Sequence, residues 1–285
     1  AIALLKEIDA SNDFDKATVN RYLGSMYAQK EKYDEAIKYS RQAVAPDILN
    51  FADHEQTLKL LGDLYAGTEK FQEAKKAYTA WMDFTGEEDP KVYTRIAQAN
   101  YQLGQFRDVF KPADKAISLQ KEPNKAPYQL KLGSYFELKD YANMVKIGEE
   151  IVRVWPDDKK AWVSLGKYYL QTEDYSKGLA TMEVAFKNGY FEAEVDYKVL
   201  SNFYSLNEIP FKAAKTLENA IKEDKVKRTK QNVNAIASNY HRSKDIEKAA
   251  KYYEEAAKFD DDAELYRKAG SLLLQSENFS AAVVR

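Results

Sequence analysis

The sequence predicts an all-α fold, a right-handed superhelical solenoid built from antiparallel helix pairs. A small residue recurs about every 35 residues through the chain. A large residue, most often a ring, follows each small one at a helical interval of three. The composition agrees, because aromatic residues make up 13% of the 285 residues and only 11 Gly and 7 Pro interrupt them. Rings are therefore expected to pack repeatedly along a continuous helical structure.

Each repeat is predicted to contain two helices, because its small and large positions fall at helical intervals in two stretches of about 13 residues. Short polar turns separate the stretches, as at residues 29–32, 67–70 and 171–174. A short turn makes the two helices antiparallel neighbours. Gly or Ala at their crossing lets the axes approach closely. Since no repeat can bury its apolar face alone, neighbouring repeats must stack.

Three rows of residues set the repeat boundaries. The small row of the first helices is Gly24, Gly62, Ala97, Gly133, Gly166, Ser201, Ala237 and Gly270. The large row is Tyr27, Tyr65, Asn100, Phe136, Tyr169, Tyr204, Tyr240 and Leu273, and the fourth repeat admits a shift of one residue. The second-helix row is Ala36, Ala74, Val109, Gly178, Ala213, Ala249 and Ala282. These rows predict one array over 1–285, with repeats at 17–50, 55–88, 90–123, 125–158, 159–192, 194–227 and 230–262, preceded by a second helix and connector at 1–16 and followed by a truncated repeat at 263–285.

The rows resemble the tetratricopeptide repeat, whose pattern is an aromatic residue, Leu-Gly, Tyr, a Gly-x-Tyr turn, paired Ala and a late Pro. The fifth repeat shows the pattern most fully, at Trp162, Leu165, Gly166, Tyr169, Tyr175 and Ala185. The resemblance covers essentially the whole chain and implies a non-catalytic scaffold that binds a peptide or helix of another protein. Local departures are Trp81 for Ala, Asn100 for Tyr and Pro210 for the turn aromatic.

A more particular resemblance lies in the second half of the chain. Residues 197–204, 209–214 and 217–221, with 135–141 upstream, are similar to periplasmic tetratricopeptide proteins that accompany TonB–ExbB–ExbD systems of marine gamma-proteobacteria. This resemblance implies an accessory role in TonB-dependent outer-membrane transport and a periplasmic location. Composition and spacing do not indicate that location, and a cytoplasmic protein is the alternative.

Composition argues against most enzyme chemistry. The chain has no Cys and two His, and 43 Lys and Arg nearly balance 45 Asp and Glu. Thiolate chemistry is excluded, and two histidines leave little for a metal or acid–base site. We therefore expect no catalytic residue, no cofactor, no metal, no nucleic-acid partner and no insertion into a membrane. His54 is expected in an extended connector and His241 at the end of a first helix, both at the surface.

The first helices should form most of the concave surface, so their outward polar residues are candidates for a partner groove. The candidates are Arg21, Lys59, Gln98, Tyr101, Lys167, Gln171, Lys198, Asn202, Asn234, His241 and Arg267. The set is polar and somewhat basic, which suits an acidic segment or the C-terminal carboxylate of a protein or peptide partner. An ordinary solvated helix face is the alternative interpretation of the same residues.

Both ends of the sequence fall inside a repeat. Ile2, Leu5 and Ile8 have the spacing of a second helix without its first, and the last residues follow Ala282 of another second helix. Because solenoids need polar capping repeats, we expect a fragment of a longer protein. The same feature supplies the alternative function, a structural unit that self-associates by stacking through its exposed end repeats.

Overall fold

The computed structural model describes residues 1–275, which contain sixteen α-helices and no strand. The all-α prediction is confirmed. The helices form two compact units, Ala1–Asp140 and Tyr141–Arg285. No helix within residues 1–275 combines the length and apolar character needed to cross a membrane. The single continuous array with its repeat boundaries stays a prediction, and Ala282, with the end of the repeat at 263–285, lies outside the described residues.

The first unit contains eight helices, which pack on their neighbours in chain order. They are α1 (Ile2–Lys6), α2 (Asp13–Gln29), α3 (Tyr33–Val44), α4 (Phe51–Gly67), α5 (Phe71–Thr85), α6 (Pro90–Gln102), α7 (Phe106–Leu119) and α8 (Lys125–Glu137). The pairs α2/α3, α4/α5 and α6/α7 are each joined by a short turn, which makes the two helices antiparallel neighbours.

The second unit repeats this arrangement with eight helices in its described part. They are α9 (Tyr141–Val154), α10 (Lys159–Gln171), α11 (Tyr175–Lys187), α12 (Glu194–Leu206), α13 (Pro210–Lys222), α14 (Lys230–Arg242), α15 (Ile246–Ala257) and α16 (Ala263–Gln275). Here α10/α11, α12/α13 and α14/α15 are the pairs joined by short turns. We call the first member of each such pair, together with α8 and α16, a first helix, and the other members second helices.

The first helices end alike, with a residue in the left-handed backbone region two positions after the last helical residue. These residues are Glu31, Glu69, Gly104, Lys139, Glu173, Glu208 and Lys244. In most of them the following N–H donates to a carbonyl five residues back, as from Lys32 to Tyr27 at 3.0 Å. This Schellman arrangement satisfies the end of the first helix and reverses the chain so that the second helix begins at once.

The same bond corrects the register of the fourth repeat. The N–H of Asp140 donates to the carbonyl of Tyr135 at 2.8 Å, so Tyr135 occupies the ring position that the sequence pattern assigned to Phe136. Tyr135 stacks on Phe110 with 4.3 Å between ring centroids, whereas Phe136 is 58% exposed. The placement of Phe136 in the large row was wrong because α8 is shifted by one residue relative to Gly133.

Glycines lie where a ring packs directly on a helix backbone. A Cβ added to Gly62 would overlap the ring of Tyr78, and one added to Gly178 would overlap the ring of Phe203. Both rings are fully buried. The small rows therefore place rings against helix backbones, as expected for closely approaching helices.

Tyrosine–carboxylate hydrogen bonds connect three first helices of the second unit, α10, α12 and α14, to the preceding second helix. The hydroxyls of Tyr169, Tyr204 and Tyr240 donate to Glu149, Glu183 and Glu218 at 2.5, 2.6 and 2.7 Å. Burial and the neighbouring carboxylate together raise the pKa of each phenol above its ordinary value. The large row therefore contributes polar contacts between repeats as well as packed rings.

Candidate functional site

Side-chain caps fix where the first helices begin. Asn12, Asn50, Asp89, Asn124, Asp158 and Thr229 each accept a hydrogen bond from an N–H two or three residues later. Such caps satisfy N–H groups that the helix itself leaves free. These capped first helices therefore present a fixed first turn to their neighbours, and an acid stands at or near the start of some first helices, as with Asp53 of α4, Asp89 before α6 and Asp196 of α12.

Several candidate cations of the groove are bound by these carboxylates. Arg21 pairs with Asp53 at 2.5 Å, Lys59 pairs with Asp89 at 2.9 Å, and Lys167 pairs with Asp196 at 2.8 Å. Each pair joins the middle of one first helix to the beginning of the next. These cations therefore hold neighbouring first helices together.

The pKa of the acidic partners reflects this pairing. Burial opposes ionisation of Asp89, but the hydrogen bonds from Lys59 and from backbone N–H groups outweigh it and lower the pKa. The same balance lowers the pKa of Asp196, with Lys167 as the cation. A carboxylate in the first turn also gains from the positive end of the helix dipole.

The remaining candidates in the second unit occupy varied environments. Lys198 pairs within its own helix with Glu194 at 2.7 Å. Gln171, Asn202 and Arg267 are exposed, whereas Asn234 and His241 are half-buried. The His241 ring lies edge-on to Tyr253 with 6.2 Å between centroids. These side chains do not form one common site in the structure.

One open cavity of the first unit lies between α6 and α8. Its volume is about 700 Å³, and it is lined by Lys91, Thr94, Arg95 and Gln98 of α6, by the last residue of α7, by residues 120–122 and Asn124 of the connector, and by Ala126 of α8. Gln98 is a predicted groove residue, while Lys91, Arg95 and Lys121 are cations that the sequence pattern did not select. The candidate Tyr101 also belongs to α6 and packs edge-on to Phe106, with ring centroids 5.4 Å apart.

The charge of this cavity is positive. Lys91, Arg95 and Lys121 line it together with Glu88 and Glu122, and Glu88 already pairs with Lys115 at 2.7 Å. The hydrogen bond from Lys115 keeps the pKa of Glu88 below its ordinary value. An anionic group would therefore meet uncompensated positive charge here.

His54 is not in a connector. Asn50 caps α4 by accepting from the N–H of Asp53 at 3.0 Å, so the helix begins earlier than predicted and includes His54. The imidazole is 5% exposed and stacks on Phe84 with 4.4 Å between ring centroids. The prediction of a surface histidine was wrong because Asn50 was not recognised as a helix cap.

One protein-family model matches part of the chain. The tetratricopeptide repeat model matches two segments. They are residues 23–45 and 232–262, one in each unit. Proteins with this repeat are generally scaffolds for protein interactions and typically non-catalytic. No curated protein matches the chain in sequence.

Solved structures share the fold. A structure of Naa15/Naa10 bound to HypK-THB matches 90% of this chain with a TM-score of 0.65 and 14% identity, and this chain spans 39% of that chain's length. A tetratricopeptide repeat protein from Parabacteroides merdae matches 91% of this chain and 99% of its own, with a TM-score of 0.50 and 14% identity. MamA matches 61% of this chain and 91% of its own, with a TM-score of 0.51 and 16% identity. At these identities the likeness shows the helical-repeat fold alone.

Proposed function

We propose that the chain is a non-catalytic scaffold that binds an acidic segment of a partner protein on its first helices, at the cavity between α6 and α8. The observation that supports this site is the surplus of positive charge around an open cavity of about 700 Å³. Elsewhere in the predicted groove, Arg21, Lys59 and Lys167 are already paired with acids of the next helix. A carboxylate of a partner would have to displace an existing ion pair there.

The cavity suits an extended acidic peptide or a C-terminal carboxylate. Arg95 offers a planar fork that can hold a carboxylate through two hydrogen bonds. Lys91 and Lys121 add charge at the rim, which raises the association rate and makes binding sensitive to salt. Because the helices are rigid, little conformational freedom is lost on binding, and several weak polar contacts suffice.

A labelled acidic peptide with a free C-terminal carboxylate tests the site. Arg95→Glu and Lys91→Glu are each expected to weaken its binding about three- to tenfold, measured by fluorescence anisotropy, because each reversal replaces an attraction with a repulsion. The matched control is Lys76→Glu, an exposed lysine of α5 that does not line the cavity. Equal weakening by the three variants would mean that only overall charge matters and would overturn the site.

The TonB link is a further part of this proposal. We propose that the scaffold works in the periplasm beside a TonB-dependent outer-membrane transporter, on the basis of the resemblance in residues 197–204, 209–214 and 217–221. The test is affinity purification of the full-length protein from its own cells after cross-linking. Recovery of TonB-system components supports the link, and their absence from a sample that retains other partners contradicts it.

Self-association is the second candidate function. It is favoured by apolar side chains at the start of the first unit, where Leu4, Ile8 and Phe14 are 67%, 51% and 47% exposed. Light scattering of the chain is expected to show a concentration-dependent increase in mass, which Leu4→Glu with Ile8→Glu abolishes. A monomer at all concentrations would exclude this function and leave the peptide-binding proposal unaffected.

A further inference from the structure

The residue directly after the large row changes character along the first unit. With Tyr135 as the large residue of the fourth repeat, this position is held by Ala28 in α2 and Ala66 in α4, but by Tyr101 in α6 and Phe136 in α8. Phe136 is 58% exposed, more than any other aromatic side chain that the structure describes. Rings therefore replace small residues on the same two helices that line the basic cavity.

On α6 the cavity and the ring belong to one helix face. Residues three or seven apart lie on the same side of a helix, so Lys91, Gln98 and Tyr101 follow one another along that face. Lys91 and Gln98 line the cavity. Tyr101 is half-buried and reaches across to α8, where a Cβ added to Gly133 would lie 3.0 Å from its ring. Tyr101 therefore lies on the surface between the two helices.

On α8 the same order is found. Ala126 lines the cavity, Gly133 lies two turns further on, and Phe136 lies one turn beyond Gly133 on that face. Gln129, between Ala126 and Gly133, is exposed. The facing surfaces of α6 and α8 therefore carry positive charge near the helix starts and two rings near the helix ends.

The length of this surface suits a short extended segment. Ten residues separate Lys91 from Tyr101, and ten separate Ala126 from Phe136, which is about 15 Å along the helix axis at about 1.5 Å per residue. An extended chain advances about 3.3 Å per residue. A segment with a carboxylate in the cavity therefore brings a side chain about four residues away to the rings.

A single exposed ring is common on protein surfaces and carries no implication by itself. Phe136 differs because a second ring, Tyr101, lies beside it, and because the equivalent positions in α2 and α4 hold alanine. The basic cavity lies on the same two helix faces. Charge and rings together therefore suit a segment that carries both acidic and apolar side chains.

We infer, on the basis of the proposed function, that the partner segment has two parts. An acidic group lies in the cavity between α6 and α8, and a large apolar side chain about four residues away packs on Tyr101 and Phe136. This contact covers part of the exposed Phe136 ring and removes apolar surface from water. The cavity selects acidic segments, and the rings distinguish among them.

Three labelled peptides test the apolar contact and its spacing. Each is rich in serine and ends in two aspartates with a free carboxylate. The first has one leucine four residues before the aspartates, the second has it directly before them, and the third has serine throughout. In fluorescence anisotropy the first is expected to bind about three- to tenfold more tightly than the other two, as partial burial of one leucine predicts. Equal binding of the first and third peptides would overturn the contact, and equal binding of the first and second would overturn the spacing.

Phe136→Ser removes the ring from an exposed position, where the fold is expected to tolerate the change. It should abolish the gain from leucine and leave the binding of the serine peptide unchanged. The matched control is Phe51→Ser, which removes a ring of α4 that is 56% exposed and does not line the cavity; the gain should persist in this variant. A gain from leucine that survives Phe136→Ser would refute the apolar contact.

Arg95→Glu separates the two parts of the segment. It acts on the acidic end, so it should weaken all three peptides by a similar factor. If none of the peptides binds the wild-type chain, the proposed function fails and the two-part segment fails with it. If the serine peptide binds and responds to Arg95→Glu but leucine adds nothing, the apolar contact alone fails.

Discussion

Replacing Glu218 by Gln is expected to destabilise the second unit by about 3 kcal/mol at neutral pH. Glu218 accepts hydrogen bonds from the hydroxyls of Tyr240 and Tyr252 at 2.7 and 2.9 Å and from Lys222 and Lys215 at 2.9 and 3.1 Å. Burial opposes its ionisation, but these four donors outweigh burial and hold the pKa of Glu218 at about 2 instead of 4.5. That difference corresponds to about 3 kcal/mol of folding free energy.

The sign of the pH dependence follows from the lowered pKa. A carboxyl that is more acidic in the folded state stabilises the protein above its unfolded pKa and loses this contribution as it becomes protonated in the folded state. The contribution of Glu218 should therefore be complete above pH 4.5 and decline toward pH 2. Since Gln resembles the protonated acid in shape, wild type and Glu218→Gln should converge in stability over that window.

Urea unfolding followed by circular dichroism at several pH values between 7 and 3 measures the difference. Because repeat arrays do not always unfold in one step, hydrogen exchange of the α13–α15 segment at pH 7 shows where the loss occurs. The control is Glu183→Gln, whose carboxyl accepts from a single tyrosine, Tyr204, and which should cost less. A destabilisation that is the same at pH 7 and pH 3, or smaller than that of Glu183→Gln, would refute the reasoning.

Three further predictions follow from the packing. Gly178→Ala should cost about 1 to 3 kcal/mol, because the added Cβ overlaps the fully buried ring of Phe203, whereas Gly67→Ala, with nothing within 4 Å of the added carbon, should be neutral or stabilising in thermal unfolding. Asn100→Leu should cost about 1 to 3 kcal/mol of stability, because it leaves the Asp108 carbonyl without a donor. Adding Pro112→Ala restores a backbone N–H that can donate to this carbonyl. Additive losses of stability in a double-mutant cycle would contradict the coupling between Asn100 and Pro112. Burial and the Glu218 carboxylate raise the pKa of the Tyr240 and Tyr252 phenols, so absorbance at 295 nm should show both phenols protonated well above pH 10. Their contribution to stability is complete below pH 10 and is lost as they ionise at higher pH. Titration of both phenols at the ordinary value of pH 10 would contradict the buried contacts.

The repeating part of the fold was predictable because each row has a direct physical meaning. Gly62 and Gly178 are small because a ring lies against them, and Tyr204 recurs because a ring is needed between helix pairs. Side-chain identity at these points is sufficient to predict helices and turns. In the fourth repeat the large residue was assigned one position too late, because the pattern counted it from Gly133, which lies one residue later relative to the helix start at Lys125 than the small residue of the neighbouring repeats. Because Tyr135 and Phe136 are adjacent aromatic residues, the sequence pattern could not show which of them packs between the helices.

The candidate groove was harder to predict because its residues depend on neighbours that are far away in sequence. Arg21 and Lys59 were correctly recognised as polar first-helix positions, but their acidic partners, Asp53 and Asp89, lie 32 and 30 residues further on. The available signal was the acid at or near the start of α4, α6 and α12, which serves both as a capping or first-turn residue and as an ion-pair partner. Lys91 and Arg95 were missed because outward direction on a helix does not reveal which stretch of the groove is open.

The departures of the third predicted repeat from the common pattern form one connected set. Pro112 removes an N–H from α7, and Asn100 supplies the replacement donor, which a tyrosine at that position would not do in the same way. Stability therefore accounts for Asn100 once Pro112 is present.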